Sequence, residues 1–124
     1  MVEIEVANRS GAQFDVDAAA DLIRAVLRDE GIEAGDLGLQ LVGPDEIRSL
    51  KRDHLGVDEE TDAVAFPIDG REPLPAGVPR QLGDVVLCPQ VVGDAWRPPL
   101  VHAVLHLVGY HHGVEMQARE RTHA

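Results

Sequence analysis

Residues 100–108, Leu-Val-His-Ala-Val-Leu-His-Leu-Val, are apolar except at His102 and His106. A helix that is apolar on all sides offers no face to water, so the rest of the chain must enclose it. The four-residue spacing puts the two imidazoles on one face, one turn apart. Left unpaired they would be costly to bury, so this run demands both a surrounding core and a partner for two rings. Gly109 ends the run, and glycine readily takes the left-handed conformation that reverses a chain out of a helix. His112, six residues after His106, can then fold back, giving the pattern H-x3-H-x2-G-x2-H.

Three neutral imidazoles suit one Zn²⁺ per chain, and three protein ligands leave the fourth tetrahedral position for water, as in catalytic rather than structural zinc. Such an ion brings the pKa of its water to about 7 and so supplies hydroxide at neutral pH. Imidazole ligands also accept nickel, copper and iron. The plainer alternative makes His102 and His106 ordinary helix residues and His112 a turn residue. Against it, four of the six histidines fall within positions 102–112. The spacing equals that of metzincin proteases, H-E-x-x-H-x-x-G-x-x-H, but the position of their general-base Glu is Ala103 here. A metzincin-like metallopeptidase is therefore the runner-up.

Upstream, Val2, Ile4 and Val6 alternate with Glu3 and Glu5, the pattern of a half-buried strand. A helix follows from an Asp15 or Asp17 cap, with Ala18, Ala19, Leu22, Ile23, Val26 and Leu27 at helical spacing up to Gly31. Leu37, Leu39 and Leu41 alternate in a second strand. Gly43-Pro44-Asp45-Glu46 leads into a second helix, with apolar Ile47 and Leu50 and a basic cluster on its exposed face. Asp62–Pro67 reads as a third strand, the Pro- and Gly-rich stretch to Arg80 as a surface loop, and Gly83–Pro89 as a strand covered on both faces. A turn at 93–99 precedes the His helix, and the polar tail is a further candidate helix. The order βαβαββα suggests a small sheet with helices mainly on one side.

At 124 residues the chain suits one domain, 1–124, with a single modest core. Four aromatic residues leave that core to Val, Leu, Ile and Ala. Acidic residues outnumber basic ones 22 to 11, and the formal charge of -11 repels phosphate backbones at long range, so charge lends nucleic-acid binding no support. Arg48, Lys51, Arg52, Arg71, Arg80 and Arg97 could still form a local basic cleft. No apolar run of about 18 residues and no basic leader occur, so a cytoplasmic protein without a membrane partner is expected. A lone Cys88 allows no internal disulfide.

Three motifs in order, TDAVAFP at 61–67, LGDVVLC at 82–88 and VHAVLHLVGYHH at 101–112, resemble the YbeY family of bacterial rRNA maturation factors. The resemblance covers most of the chain. It implies an α+β fold, here a small, mostly four-stranded mixed sheet with helices packed against it and the zinc site on a C-terminal helix and the following turn. It also implies a single-strand endoribonuclease acting on ribosomal RNA and not DNA, with partners on the small ribosomal subunit and zinc held by His102, His106 and His112. A ribosome-assembly protein with a purely structural metal is the alternative from a different class.

The chain departs from the family pattern in several places. Ala103 replaces a Gly, Ala65 replaces a Ser, and His111 replaces the Asp before the last ligand, leaving His111 as a proton carrier or surface residue. Lys51 and Leu55 stand where many members carry an Asn and a functionally important Arg, for which Lys51 or Arg52 could substitute. About ten residues are missing before the His helix. Asp84 could orient a histidine or cap a turn, Asp62 reads as a turn residue, and Cys88 as a buried hydrophobe rather than a fourth ligand. Glu115 and Glu120 could reach the metal-bound water or lie on a solvated face. No residue is identified as the general base.

Overall fold

The computed structural model describes residues 2–55, 63–110 and 114–123. Its elements are β1 (Val2–Asn8), α1 (Val16–Asp29), β2 (Gly35–Leu41), α2 (Pro44–Leu55), β3 (Ala63–Pro67), β4 (Gln81–Leu87), α3 (Pro89–Val92), α4 (Arg97–Leu107) and α5 (Val114–Thr122). The four strands form one mixed sheet in the order β1-β2-β4-β3. β1, β2 and β4 run parallel, while β3 is antiparallel to β4. This is the α+β arrangement expected. Among the described residues no helix is long and apolar enough to cross a membrane.

Strand alternation decides which helix goes where. Leu37, Leu39 and Leu41 of β2 and Val85 and Leu87 of β4 face one side, where they join Ile23, Val26 and Leu27 of α1, Met116 of α5 and most of α4 in the main core. Val64 and Val86 face the other side and pack with Ile47 and Cys88, partly under α2. The sheet is thus covered by α1, α4 and α5 on one face and by α2 on the other, so the helices lie mainly on one side as expected. On α2 the basic cluster is only partly at the surface, because Lys51 is buried at 3% exposure.

Local chemistry sets the element ends. Asp15 is the α1 cap, its carboxylate accepting the Ala18 N–H at 3.0 Å, which settles the choice against Asp17. α4 starts at Arg97, earlier than the turn expected over 93–99, because Pro98 and Pro99 fall in the first turn, where a missing N–H costs no helical bond. Phe14 meets Trp96 edge-on at 5.3 Å, tying the entrance of α1 to that of α4. The link from β4 to α4 is short and contains only the single turn α3, flanked by Pro89 and Gly93.

Asp36 pairs with Gln81 and Leu37 with Gly83, so Leu82 is an extra residue in a bulge and turns into the same core as Val85. Gly83 makes this possible at φ +125°. A Cβ there would lie 2.1 Å from the Phe66 carbonyl oxygen.

One buried carboxylate ties the helical layer together. The Glu30 side chain, 2% exposed at the end of α1, bonds Arg71 Nη2 at 2.9 Å and Arg119 Nε at 2.7 Å. Arg71 also donates to the Glu30 carbonyl at 2.8 Å and to the Val108 carbonyl at 3.0 Å, and the Tyr110 phenol hydrogen-bonds the same carboxylate. Burial alone would raise the Glu30 pKa. The bonds from Tyr110 and Arg119, with the charges of Arg119 and Arg71, outweigh burial and hold it below 4.5.

A depressed carboxylate contributes stability above its unfolded pKa and loses it as pH falls through the folded value. The melting temperature is therefore expected to decline below about pH 4.5, and Glu30→Gln to flatten that part of the profile in calorimetry. Gly93, at φ +54°, has open space where a Cβ would go. Gly93→Ala should cost about 1 kcal/mol and Gly83→Ala at least twice that, as read by urea unfolding.

Candidate metal centre

α4 carries both histidines into the layer formed with α5. Their rings lie edge-to-face, centroids 4.7 Å apart at 82°, with the two Nε2 atoms 3.2 Å from each other. His106 Nδ1 is 2.9 Å from the Tyr110 carbonyl oxygen, and His102 Nδ1 is 3.3 Å from Glu120 Oε2. A carbonyl and a carboxylate both accept, so each Nδ1 is the N–H donor, and in a neutral ring Nε2 carries the lone pair. Two nitrogen lone pairs at that separation repel unless a cation or proton lies between them. Ligand nitrogens about 2.05 Å from a tetrahedral Zn²⁺ sit about 3.3 Å apart, so the donor pair fits the ion in both chemistry and spacing.

The turn after α4 produces half of this geometry. Gly109 has φ +101°, its N–H bonds the His106 carbonyl, and the Tyr110 N–H reaches back to the Leu105 carbonyl. These two bonds define a Schellman motif. It aims the Tyr110 carbonyl at His106, and the chain reverses at Gly109 as expected. The other half comes from α5, on which Glu120 reaches across to His102.

His112 and His111 lie outside the described residues, as do Thr61 and Asp62 and the side chain of Leu55. Among the described residues no group of three His, Cys, Asp or Glu side chains converges on one point. The structure thus brings two of the three expected ligands together. Asp84 is not near them: it lies on the opposite sheet face with Val86, its carboxylate over Gly38, and so does not orient His102 or His106. Cys88 is fully buried in the small cluster on that same far face, which rules it out as a ligand. Glu120 does not face the Nε2 atoms; it stands behind His102, on the Nδ1 side.

Beside His106 an open cleft of about 1180 Å³ runs between residues 67–73 and the end of α4. Asp69, Arg71, Glu72, Tyr110 and Glu115 are among the residues lining it. Among the described residues of this lining three are acidic and Arg71 is the one guanidinium, so the cleft is not the basic groove allowed for from sequence. Lys51 is buried, and exposed Arg52 lies against Asp53 at 3.6 Å. Arg97 stacks on Trp96 at 4.3 Å, and Arg80 holds the 69–80 loop through the Gly70 and Glu72 carbonyls.

Sequence reasoning missed Glu30, Arg119 and the Tyr110 carbonyl, and offered Arg71 only as part of a basic cleft. A glutamate at the end of an amphipathic helix reads as solvent-facing, and no spacing signal links positions 30, 71 and 119.

The family model for endoribonuclease YbeY matches residues 5–97. That match ends before His102, so it is independent of the histidine geometry. Among similar proteins named endoribonuclease YbeY, one from Salinispora tropica is 34% identical over 96% of this chain and 88% of its own length. One from Acidothermus cellulolyticus is 35% identical over 94% and 83%. One from Halorhodospira halophila is 40% identical over 73% of this chain and 65% of its own length. The solution structure of a Thermotoga maritima protein shares the fold, with a TM-score of 0.58 and 23% identity over 99% of this chain and 86% of that one. With a family match over most of its length, relatives above 30% identity and the expected motifs in order, this chain belongs to the endoribonuclease YbeY family.

Proposed function

We propose that this protein is a metal-dependent endoribonuclease that cleaves single-stranded ribosomal RNA during small-subunit maturation in the cytoplasm, with His102, His106 and His112 holding one Zn²⁺. The observation that carries the reading is the pair of Nε2 lone pairs 3.2 Å apart, each backed by an acceptor on Nδ1, in a chain of this family. When bound, the ion supplies Lewis acidity that lowers the pKa of water to about 7 and offsets charge on a phosphodiester.

The chain's own residues do the rest. The Tyr110 carbonyl and Glu120 fix the tautomer and direction of the two rings, so neither has to reorganise on loading. The cleft beside His106 is open to solvent, and Arg71 presents a guanidinium on its wall with the side chain 45% exposed. Glu30 neutralises part of that charge, and Asp69, Glu72 and Glu115 add negative charge, so the cleft does little by itself to attract RNA. Substrate charge must be met largely at the histidine end. This supports dependence on a divalent cation for binding as well as chemistry. A metzincin-like peptidase mechanism has no support here, because Ala103 is buried and supplies no carboxylate on α4.

Metal content per chain by mass spectrometry, with cleavage of a labelled single-stranded RNA by the same samples, tests the reading. Wild type should carry one zinc, and His106→Ala should lose it together with more than about 100-fold of the cleavage rate while remaining folded. Metal without cleavage in wild type would favour the structural-metal alternative. In that case His112→Ala should unfold the domain. No metal at all would overturn the proposal.

A further inference from the structure

Both imidazoles are held from behind, and both holding groups lead back to one residue. The Tyr110 carbonyl bonds His106, and the phenol of Tyr110 is docked on the Glu30 carboxylate. Arg71 joins that carboxylate to the Val108 carbonyl, one residue before Gly109, and so pins the turn that aims the Tyr110 carbonyl. On the other side Glu120 bonds His102, and its neighbour Arg119 forks onto the Glu30 carboxylate through Nε and Nη2. α5 is mostly polar, with Met116 its one fully buried side chain among those described, so the Arg119–Glu30 pair is a principal anchor of the helix that delivers Glu120.

We propose that Glu30, which touches neither imidazole, is a positioning residue that sets the ring orientation and tautomer of both His102 and His106. The inference rests on the metal-centre reading above and deepens it. Glu30 can act in this way because Oε1 is taken by Arg71 and Oε2 by Arg119, so one rigid, 2% exposed carboxylate fixes the turn after α4 relative to α5. Buried ion networks add little net stability over apolar packing, but they do select one arrangement. Here the arrangement selected is the one in which two Nε2 atoms converge. A Glu30 that served stability alone would change the melting temperature and leave the rings of the folded protein as they are.

Two measurements on the metal-free full chain separate these roles. Long-range ¹H–¹⁵N NMR of the imidazoles reads which ring nitrogen carries the proton, and cobalt(II) titration followed by visible absorption reads metal affinity. In wild type both protons should sit on Nδ1. In folded Glu30→Gln both rings should become tautomeric mixtures and cobalt affinity should fall about 10–100-fold. Arg119→Lys keeps the charge but loses the fork, and should disturb His102 while leaving His106 in place. Unchanged tautomers in folded Glu30→Gln would overturn the proposal. If that variant does not fold, an unchanged His102 in Arg119→Lys would overturn it instead. A wild type that binds no cobalt would sink the metal reading, whereas the tautomers would still decide whether Glu30 positions the rings.

Discussion

α4 is enclosed along most of its length by the sheet, α1 and α5, and an imidazole carried into such surroundings needs a partner for each ring nitrogen. That requirement shapes everything around it. Leu100, Val104, Leu105 and Leu107 fill the core, while His102 and His106 emerge together on the half-buried face toward α5. The Schellman turn at Gly109 and the arrival of α5 then supply one acceptor each, and both Nδ1 atoms are taken. The two Nε2 atoms face each other 3.2 Å apart, a spacing that suits a cation.

Electrostatics is organised on two scales. Over the whole molecule the charge of -11 opposes RNA at long range. Locally, cations are drawn into structural work: Arg71 and Arg119 on Glu30, Arg80 on loop carbonyls, Arg97 on Trp96. On the proposed reading, the cleft beside His106 would depend on a bound ion more than a basic groove would. An acidic surface and an RNA substrate are compatible on these terms, because the attraction acts at contact range, inside the site.

The departures from the family pattern fall where the fold can absorb them. The shortened link before α4 is bridged by one helical turn, and the Pro98–Pro99 pair starts α4 at once without losing an internal hydrogen bond. Replacement of Gly by Ala at 103 puts a small apolar side chain on the buried side of α4, where it is 2% exposed. Lys51 is buried on the far side of the sheet from α4, so α2 presents a weaker basic face than its sequence suggests.

Much of this protein could be read from residue order alone, because the signals are local. Period-two alternation located β1 and β2, helical spacing located α1, and the H-x3-H-x2-G pattern placed two imidazoles on one face and a reversal at Gly109. Pro98 and Pro99 suggest a turn because proline's missing N–H signals a break in most positions and is neutral only at a helix start. Glu115 and Glu120 follow the expected ligands at helical spacing and read as candidates to reach a metal-bound water or as a solvated face; the docking of α5 instead puts Glu120 behind His102. Asp84 illustrates the same limit, since a one-residue difference in register decides the sheet face, and the bulge at Leu82 sets that register. Glu30 could not be read at all, because its partners lie 41 and 89 residues away and only folding brings them within bonding distance. Residue order fixes the helix and puts two imidazoles on one face of it; folding chooses the groups that orient those rings, because hydrogen-bond partners distant in the chain leave no periodic trace in it.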